Sequence, residues 1–423
     1  MSEMSGEVST EVTGVVVMEA PRAVGAAVYP VLIGTSFCHL LNDMLQSLFM
    51  AAYPIFKGGF DLSFAQIGLL TLVYQATASL LQPIIGIYTD RRPQPYSLPF
   101  GMGVTMIALL VLAFASDYPM LLASSALLGI GSSIFHPESS RLARLASGGA
   151  HGLAQSIFQV GGNLGTALGP LLVAVFVLPH GQESLAWFAL AALGGMLILT
   201  ALGRWYKKAG HARPAVRGGA IIHADLNSRQ VGGALTILFC LMVSKWFYLA
   251  AFTSYYIFFL MARFGTSEAQ SQIYLFVFLA AVAAGTLIGG PVGDRIGRKA
   301  VIWWSILGVL PFSLVLPYAS LPVTVGLSVI IGLMMASAFP AIVVYGQELM
   351  PGRVGMVSGL FFGLAFGMGG VGAGVLGVLA DHTSIDFVYR LCAFLPAVGI
   401  LAALLPNVEP PKSAKALAKA KAT

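Results

Sequence analysis

Gly290-Pro291-Val292-Gly293-Asp294-Arg295-Ile296-Gly297-Arg298-Lys299 separates two apolar runs, 273–288 and 300–316. A cluster of charges between two such runs belongs where lipid gives way to water. The glycines let two helix ends approach closely and let the chain turn sharply. Asp294 can accept hydrogen bonds from the N–H groups of a following helix start, while Arg295, Arg298 and Lys299 stay at the surface. A second version lies upstream as Gly86-Ile87-Tyr88-Thr89-Asp90-Arg91-Arg92-Pro93, with the same Gly-to-Asp spacing and an offset of 204 positions. The pair marks a duplicated membrane protein.

Composition agrees. Of 423 residues, 57% are hydrophobic and 9% charged, with a mean hydropathy of +0.85. A soluble domain carries about 25% charged residues. Cys38, Cys240 and Cys392 each lie in an apolar segment, so no disulfide framework is expected. Residues 1–21 are polar and acidic, without the basic-to-apolar order of a signal peptide. Residues 412–423, rich in Ala and Lys, read as a solvated tail.

Many runs exceed the roughly 18 residues that cross a bilayer. Twelve segments follow, at 29–56, 64–90, 97–116, 118–143, 151–178, 184–206, 232–262, 268–292, 300–319, 321–347, 354–380 and 384–406. Period-two alternation is absent, so these are helices rather than barrel strands. The expected architecture is an all-α integral membrane protein of two six-helix, pseudo-symmetric bundles, 29–206 and 232–406. A basic linker (207–231) joins them, and tails cover 1–28 and 407–423.

With the N-terminus inside, 19 of the 23 Lys and Arg residues fall on the inner side and only Lys57 and Arg263 on the outer. That asymmetry predicts cytoplasmic termini. It also disposes of nucleic-acid binding, because the basic charge is spread over inner loops. The duplication recurs at an offset of 203, which superposes Gly129 on Gly332, Pro137 on Pro340, Gly149 on Gly352, Gly152 on Gly355 and Phe158 on Phe361. Parallel six-helix repeats are a transporter arrangement, with the site near the midplane between halves.

Twelve segments, a basic central linker and Gly-x-x-x-Asp-Arg-x-Gly-Arg-Lys after the second helix of each half resemble the major facilitator superfamily. The downstream copy matches in full, while the upstream one has Pro93 and Gln94 where the pattern has Gly and Arg. The fifth segment is similar to the antiporter motif of that family, with Gly165 and Gly169-Pro170 in place and Ser156, Val173 and Ala174 where glycines stand. His39-Leu40-Leu41-Asn42-Asp43 with Gln46, and Phe135-His136-Pro137-Glu138 with Arg141, look like the bacterial fosmidomycin resistance branch. The resemblance implies a monomeric inner-membrane drug/proton antiporter acting on a small molecule such as a phosphonate antibiotic. The coupling ion would be the proton, without cofactor or metal. Gly86, Asp90 and Arg91, with Gly290, Asp294, Arg295, Gly297 and Arg298, would form conformational latches, and Gly169-Pro170 a gating element.

Ionisable groups in a membrane core cost about 2.5–3.5 kcal/mol on insertion scales and are functional candidates by default. His39, Asn42, Asp43 and Gln46 lie at i, i+3, i+4 and i+7, on one helix face. Asp43 is a candidate proton carrier with His39 as a proton-coupling partner, or it is a structural carboxylate locked by His39. On the fourth segment His136 and Glu138 are further proton-coupling candidates, although Glu138 and Arg141 at i, i+3 also suit a structural ion pair. Gln159 and Asn163 continue a stripe from His151 and Gln155, and Gln75 belongs to a similar face on the second segment. With Asn42 and Gln46 they are candidate substrate contacts. Lys245 falls opposite Asn42 in the repeat, as counter-ion to Asp43 or as an anion site, and Tyr248 follows on its face.

The histidines and cysteines show no metal-ligand grouping, and no Gly-rich loop ending in Gly-Lys-Ser/Thr is present, so neither an enzyme nor an ATP-driven pump is expected. Proton-driven uptake of a small organic anion is the alternative within transport. A membrane sensor would need an output domain that the short tails and linker do not offer.

Overall fold

The computed structural model describes residues 27–92, 94–148, 151–209, 226–350 and 354–407. Helices dominate, and no strand occurs among the described residues. The first half comprises α1 (Tyr29–Ala51), α2 (Phe64–Arg91), α3 (Ser97–Ala113), α4 (Tyr118–Ala146), α5 (His151–Leu172) and α6 (Phe188–Ala209). The second comprises α7 (Ser228–Phe264), α8 (Glu268–Ile296), α9 (Arg298–Ile306), α10 (Leu321–Ala336, continued by Ala338–Leu349), α11 (Val354–His382) and α12 (Ile385–Cys392, continued by Leu395–Leu404). Linker residues 210–225 lie outside the described residues.

Ten described spans are long and apolar enough to cross a bilayer. The 17-residue α3 is shorter, and the 23-residue α1 is not among the ten because its polar face lowers its hydropathy. Local chemistry sets several starts. Ser63 and Gln66 form a reciprocal capping box before α2 (3.1 and 2.9 Å), and Asn227 and Gln230 repeat it before α7 (2.9 Å each). Gly265, at φ +64°, ends α7.

Several segments expected to be continuous are interrupted. The ninth passes through a 3₁₀ turn at Leu307–Val309 just before Pro311, the tenth breaks at Ser337, and the twelfth turns 3₁₀ from Leu395, beside Pro396. Proline removes an N–H and clashes with the preceding turn, which favours the tighter winding at the first and last of these.

Within the halves α1 packs on α5, α2 on α4 and α8 on α10. The repeat appears in side-chain detail: a Cβ on Gly129 would lie 2.7 Å from Thr77 Cβ of α2, and one on its counterpart Gly332 would lie 3.0 Å from the Phe278 carbonyl of α8. The halves meet along α2–α11 and α5–α8, two seams that a six-helix shift interchanges.

The tightest seam lies at the start of α2, the end opposite the basic loops. Asp381 on α11 accepts from the N–H groups of Phe64 and Ala65 at 2.8 and 2.7 Å. Within the second half the Tyr255 hydroxyl of α7 donates to the Ala373 carbonyl of α11 at 2.6 Å, and between the halves Gln272 of α8 donates to the Ala51 carbonyl at 2.5 Å. Gly68 permits the approach, since a Cβ there would lie 2.6 Å from the Ala373 oxygen. Asp381 thus caps a helix of the other half, where its charge also complements the helix dipole.

The latch expected at the basic loops cannot be placed in the same way. The side chains at Asp90, Arg91, Gly290, Asp294 and Arg295 lie outside the described residues. Gly86 has open space around it. Gly297, at φ +95°, turns the chain into α9, where the neighbouring Lys299 donates to the Ala403 and Leu405 carbonyls at 2.9 and 2.5 Å.

Removing a helix cap costs roughly 0.5–2 kcal/mol. Asp381→Ala should therefore open this face several-fold more often. In a background without Cys38, Cys240 and Cys392, the labelling rate of a Ser254→Cys probe by an impermeant maleimide reports it; an unchanged rate would show that Asp381 does not hold the face shut.

Candidate functional site

The polar face of α1 meets α4 and α5. Asp43 lies between two imidazoles, with His39 Nε2 at 3.2 Å from Oδ2 and His136 Nε2 at 3.3 Å from Oδ1. Asn42 donates to Oδ1 at 3.1 Å. His39 is buried and stacks on Phe158 at 3.9 Å between ring centroids. The His39 and His136 rings meet edge-on at 5.2 Å.

The other nitrogen of each ring is committed. His39 Nδ1 lies 2.8 Å from the Phe158 carbonyl oxygen, and His136 Nδ1 lies 3.0 Å from that of Ser132. A carbonyl only accepts, so Nδ1 of His39 carries the hydrogen; His136 Nδ1 also has the Ser132 hydroxyl at 3.2 Å, and the nearer carbonyl assigns the hydrogen to that nitrogen as well. A neutral imidazole of that tautomer points the Nε2 lone pair at a carboxylate oxygen, which is repulsive. A proton placed between them turns the contact into a charge-assisted hydrogen bond. Two imidazoles and one carboxylate arranged so can share protons or a cation. The absence of a metal-ligand grouping inferred from sequence is corrected here: the ligand atoms of His39, Asp43 and His136 lie within 4.8 Å of one another. Sequence spacing hid it because His136 stands on a different helix, 93 positions from Asp43.

Glycines of α5 make the arrangement possible. A Cβ on Gly161 would lie 2.8 Å from Ser36 Oγ, one on Gly165 would lie 3.0 Å from Leu40 Cα, and one on Gly169 would lie 2.7 Å from the carbonyl carbon of Ser47. Gly162 faces the site itself, where a Cβ would come within 2.6 Å of His39 Nε2 and 2.7 Å of Asp43 Oδ2. Ser36 and Ser47 donate to the Ile157 and Thr166 carbonyls, both at 2.6 Å, and lock the two helices together. Gly169 thus serves helix packing, and Pro170 precedes a π-helical turn at Val173–Val177.

The remaining candidates separate. Gln46 accepts from the Tyr74 hydroxyl and from Ser132 Oγ (3.4 Å). Its Nε2, Asn163 Nδ2 and Asn42 Oδ1 are buried without hydrogen-bond partners. Gln159 is half-buried, and the side chains of His151 and Gln155 lie outside the described residues. Gln75 sits on the inter-half seam against Gly369 and Gly370 of α11. Glu138 pairs with Arg141 at 3.0 Å, and Arg141 also donates to Thr89 of α2 at 3.2 Å, which ties α4 to α2 one turn beyond the triad. Lys245 does not meet Asp43, whose charged neighbours are the two histidines. Its ammonium instead lies 5.6 and 5.5 Å from the ring centroids of Trp246 and Phe339. Tyr248 belongs to an aromatic core with Phe252 (5.4 Å), which stacks on Phe278 at 4.3 Å.

The sequence profile of the Major Facilitator Superfamily matches residues 35–265 and 234–423. The chain belongs to this superfamily. It is 58% identical over 372 residues to the fosmidomycin resistance protein of Escherichia coli (strain K12), covering 88% of this chain and 91% of that one. It is 41% identical over 391 residues to an uncharacterized MFS-type transporter of Bacillus subtilis (strain 168), covering 90% and 94%. Among solved structures it is similar to the nucleoside transporter NupG (TM-score 0.72, 14% identity, 89% of this chain and 100% of that one). It is also similar to an inward-facing, occupied bacterial homologue of the lysosomal transporter Spinster (TM-score 0.68, 16% identity, 89% and 95%). The chain is a multi-pass transporter of small molecules.

Overpacking a well-filled site costs about 1–3 kcal/mol. Gly162→Ala should lower the melting temperature of the detergent-solubilised protein by several degrees. Gly194→Ala, where nothing lies within 4 Å of the added methyl, should leave it within a degree. Equal melting temperatures would mean that α1 and α5 can part without loss.

Proposed function

We propose that the chain is a proton-coupled antiporter exporting a small drug-like or anionic compound, such as a phosphonate, by alternating access. His39, Asp43 and His136 form the proton site. The observation that carries this is the pair of committed Nδ1 atoms, which leaves both Nε2 atoms facing one carboxylate and in need of protons. A protonated triad and a deprotonated one differ in charge and in the packing they favour. A transporter can link such a difference to the choice between its two open states. The proton is the only coupling partner required, and no cofactor enters.

Support for export comes from the relative named for fosmidomycin resistance. The excess of Lys and Arg in the loops of one face supports a cytoplasmic position for that face and both termini, and in this reading the chain works as a monomer in an inner membrane. The Asp381 seam then closes the outer face. Glu138 keeps a structural role through Arg141, at the cytoplasmic end of α4.

Everted membrane vesicles carrying the protein should lose an imposed proton gradient when fosmidomycin is added. Asp43→Asn should insert and fold, yet give less than a tenth of that flux. Normal pH-driven transport by this variant would remove the triad from coupling and return the role to Glu138.

A further inference from the structure

Resting on the transport reading above, we propose that Lys245 and Trp246 form the anion subsite of this protein, taking the acidic head group of an organic oxyanion such as a phosphonate or carboxylate. Lys245 is 4% exposed and lies within the 37-residue α7. Among the described residues its ammonium has neither a carboxylate partner nor a hydrogen-bond acceptor. Two ring faces, Trp246 and Phe339, are its electrostatic neighbours. Cation–π contact returns only part of what a buried ammonium loses in leaving water. The indole Nε1 of Trp246 is likewise buried without an acceptor. Two adjacent residues therefore present donors with nothing to receive them.

Four carboxylates among the described residues are engaged elsewhere. Asp43 faces its two histidines, Glu138 faces Arg141, and Asp386 faces Arg263 and Arg390 at 3.0 and 2.5 Å. Asp381 caps α2. Among the described residues no carboxylate pairs with Lys245, and in this proposal the ligand supplies its counter-charge. Phe339 stands two residues beyond the interruption of α10 at Ser337 and meets the Trp246 ring edge-on at 5.8 Å. The break in α10 thus supplies an apolar wall to the same spot. On the other half Gln46 Nε2 and Asn163 Nδ2 are further buried donors without partners among the described residues. By the repeat offset of 203, Lys245 is the counterpart of Asn42, next to Asp43. The anion subsite and the proton site occupy equivalent places on α7 and α1.

Calorimetry on the detergent-solubilised full chain, without a proton gradient, tests this using fosmidomycin, phenylphosphonate and benzoate as anionic probes and ethidium as a cationic one. The wild type should bind at least one anion more tightly than ethidium. Lys245→Met should raise that Kd at least tenfold, equivalent to about 1.4 kcal/mol. Lys245→Arg should stay within about threefold, and Trp246→Phe, which keeps the ring but loses the N–H, should weaken binding several-fold. An unchanged Kd in Lys245→Met, a preference for ethidium, or no binding of any anion overturns the proposal. If Lys245→Met does not fold, Trp246→Phe decides: an unchanged Kd there removes the subsite. Anion binding that is intact and Lys245-dependent, in a protein that moves no protons in vesicles, would sink the coupling reading and leave this one standing.

Discussion

A carboxylate in the middle of a membrane must be neutralised within reach, and the first half of this protein is shaped by that requirement at Asp43. Two imidazoles do the work, and each is held by a backbone carbonyl, one on α5 and one on α4. The Phe158 carbonyl reaches His39 because the α1–α5 axis separation is set by glycines at 161, 162, 165 and 169. Small residues at helix contacts are how membrane helices approach closely where no hydrophobic force draws them together. The electrostatics of the site and the packing of the helices are therefore one constraint. Any side chain at Gly162 would displace the rings from the carboxylate they neutralise.

The second half answers the same architecture with different chemistry. Where α1 carries a polar face, α7 carries Tyr248, Phe252, Tyr255 and Tyr256, packed with Phe278 and Tyr389. Its one buried cation has aromatic neighbours rather than an anion. In the proposed reading, a duplicated scaffold is filled so that protons are accommodated on one side of the pseudo-twofold and negative charge is accepted on the other. Neither charge cancels the other inside the protein, which leaves both available to mobile partners.

Much of this was legible in the sequence, and the omissions have physical causes. Helix periodicity was enough to put His39, Asn42, Asp43 and Gln46 on one face, since that depends only on 3.6 residues per turn. The arrival of His136 depends on how α4 crosses α1, which no local pattern encodes. Lys245 suggested itself as a counter-ion to Asp43 because the repeat pairs it with the neighbouring Asn42. The structure gives Asp43 other partners, because histidines on α1 and α4 are nearer than any residue of the opposite half. Asp381 passed unnoticed since an acidic residue at a helix end normally reads as solvated, and its role as cap to α2 exists only across the seam. The glycine-rich motif that announced the family gave topology rather than chemistry.

The proton site is not isolated from the opposite half. The His136 ring lies 5.8 Å from that of Phe366 on α11, and Gln75 of α2 packs against Gly369 and Gly370 one turn further along the same helix. Nearer the basic face Ser79 Oγ donates to the Gly363 carbonyl at 2.7 Å. The outer end of α11 is held by Asp381, so a shift in the His136 ring acts on a helix pinned at one end and touched at its middle. Protonation changes the charge on exactly that ring and its carboxylate partner. In the proposed mechanism a small local movement would become a rotation of α11 about its pinned end, because packed helices move as rigid bodies rather than by continuous deformation. The same helix flanks α7, which carries Lys245. Under the proposed coupling, a proton entering at Asp43 would in this way alter the wall of the proposed anion subsite without any direct contact between the two charges.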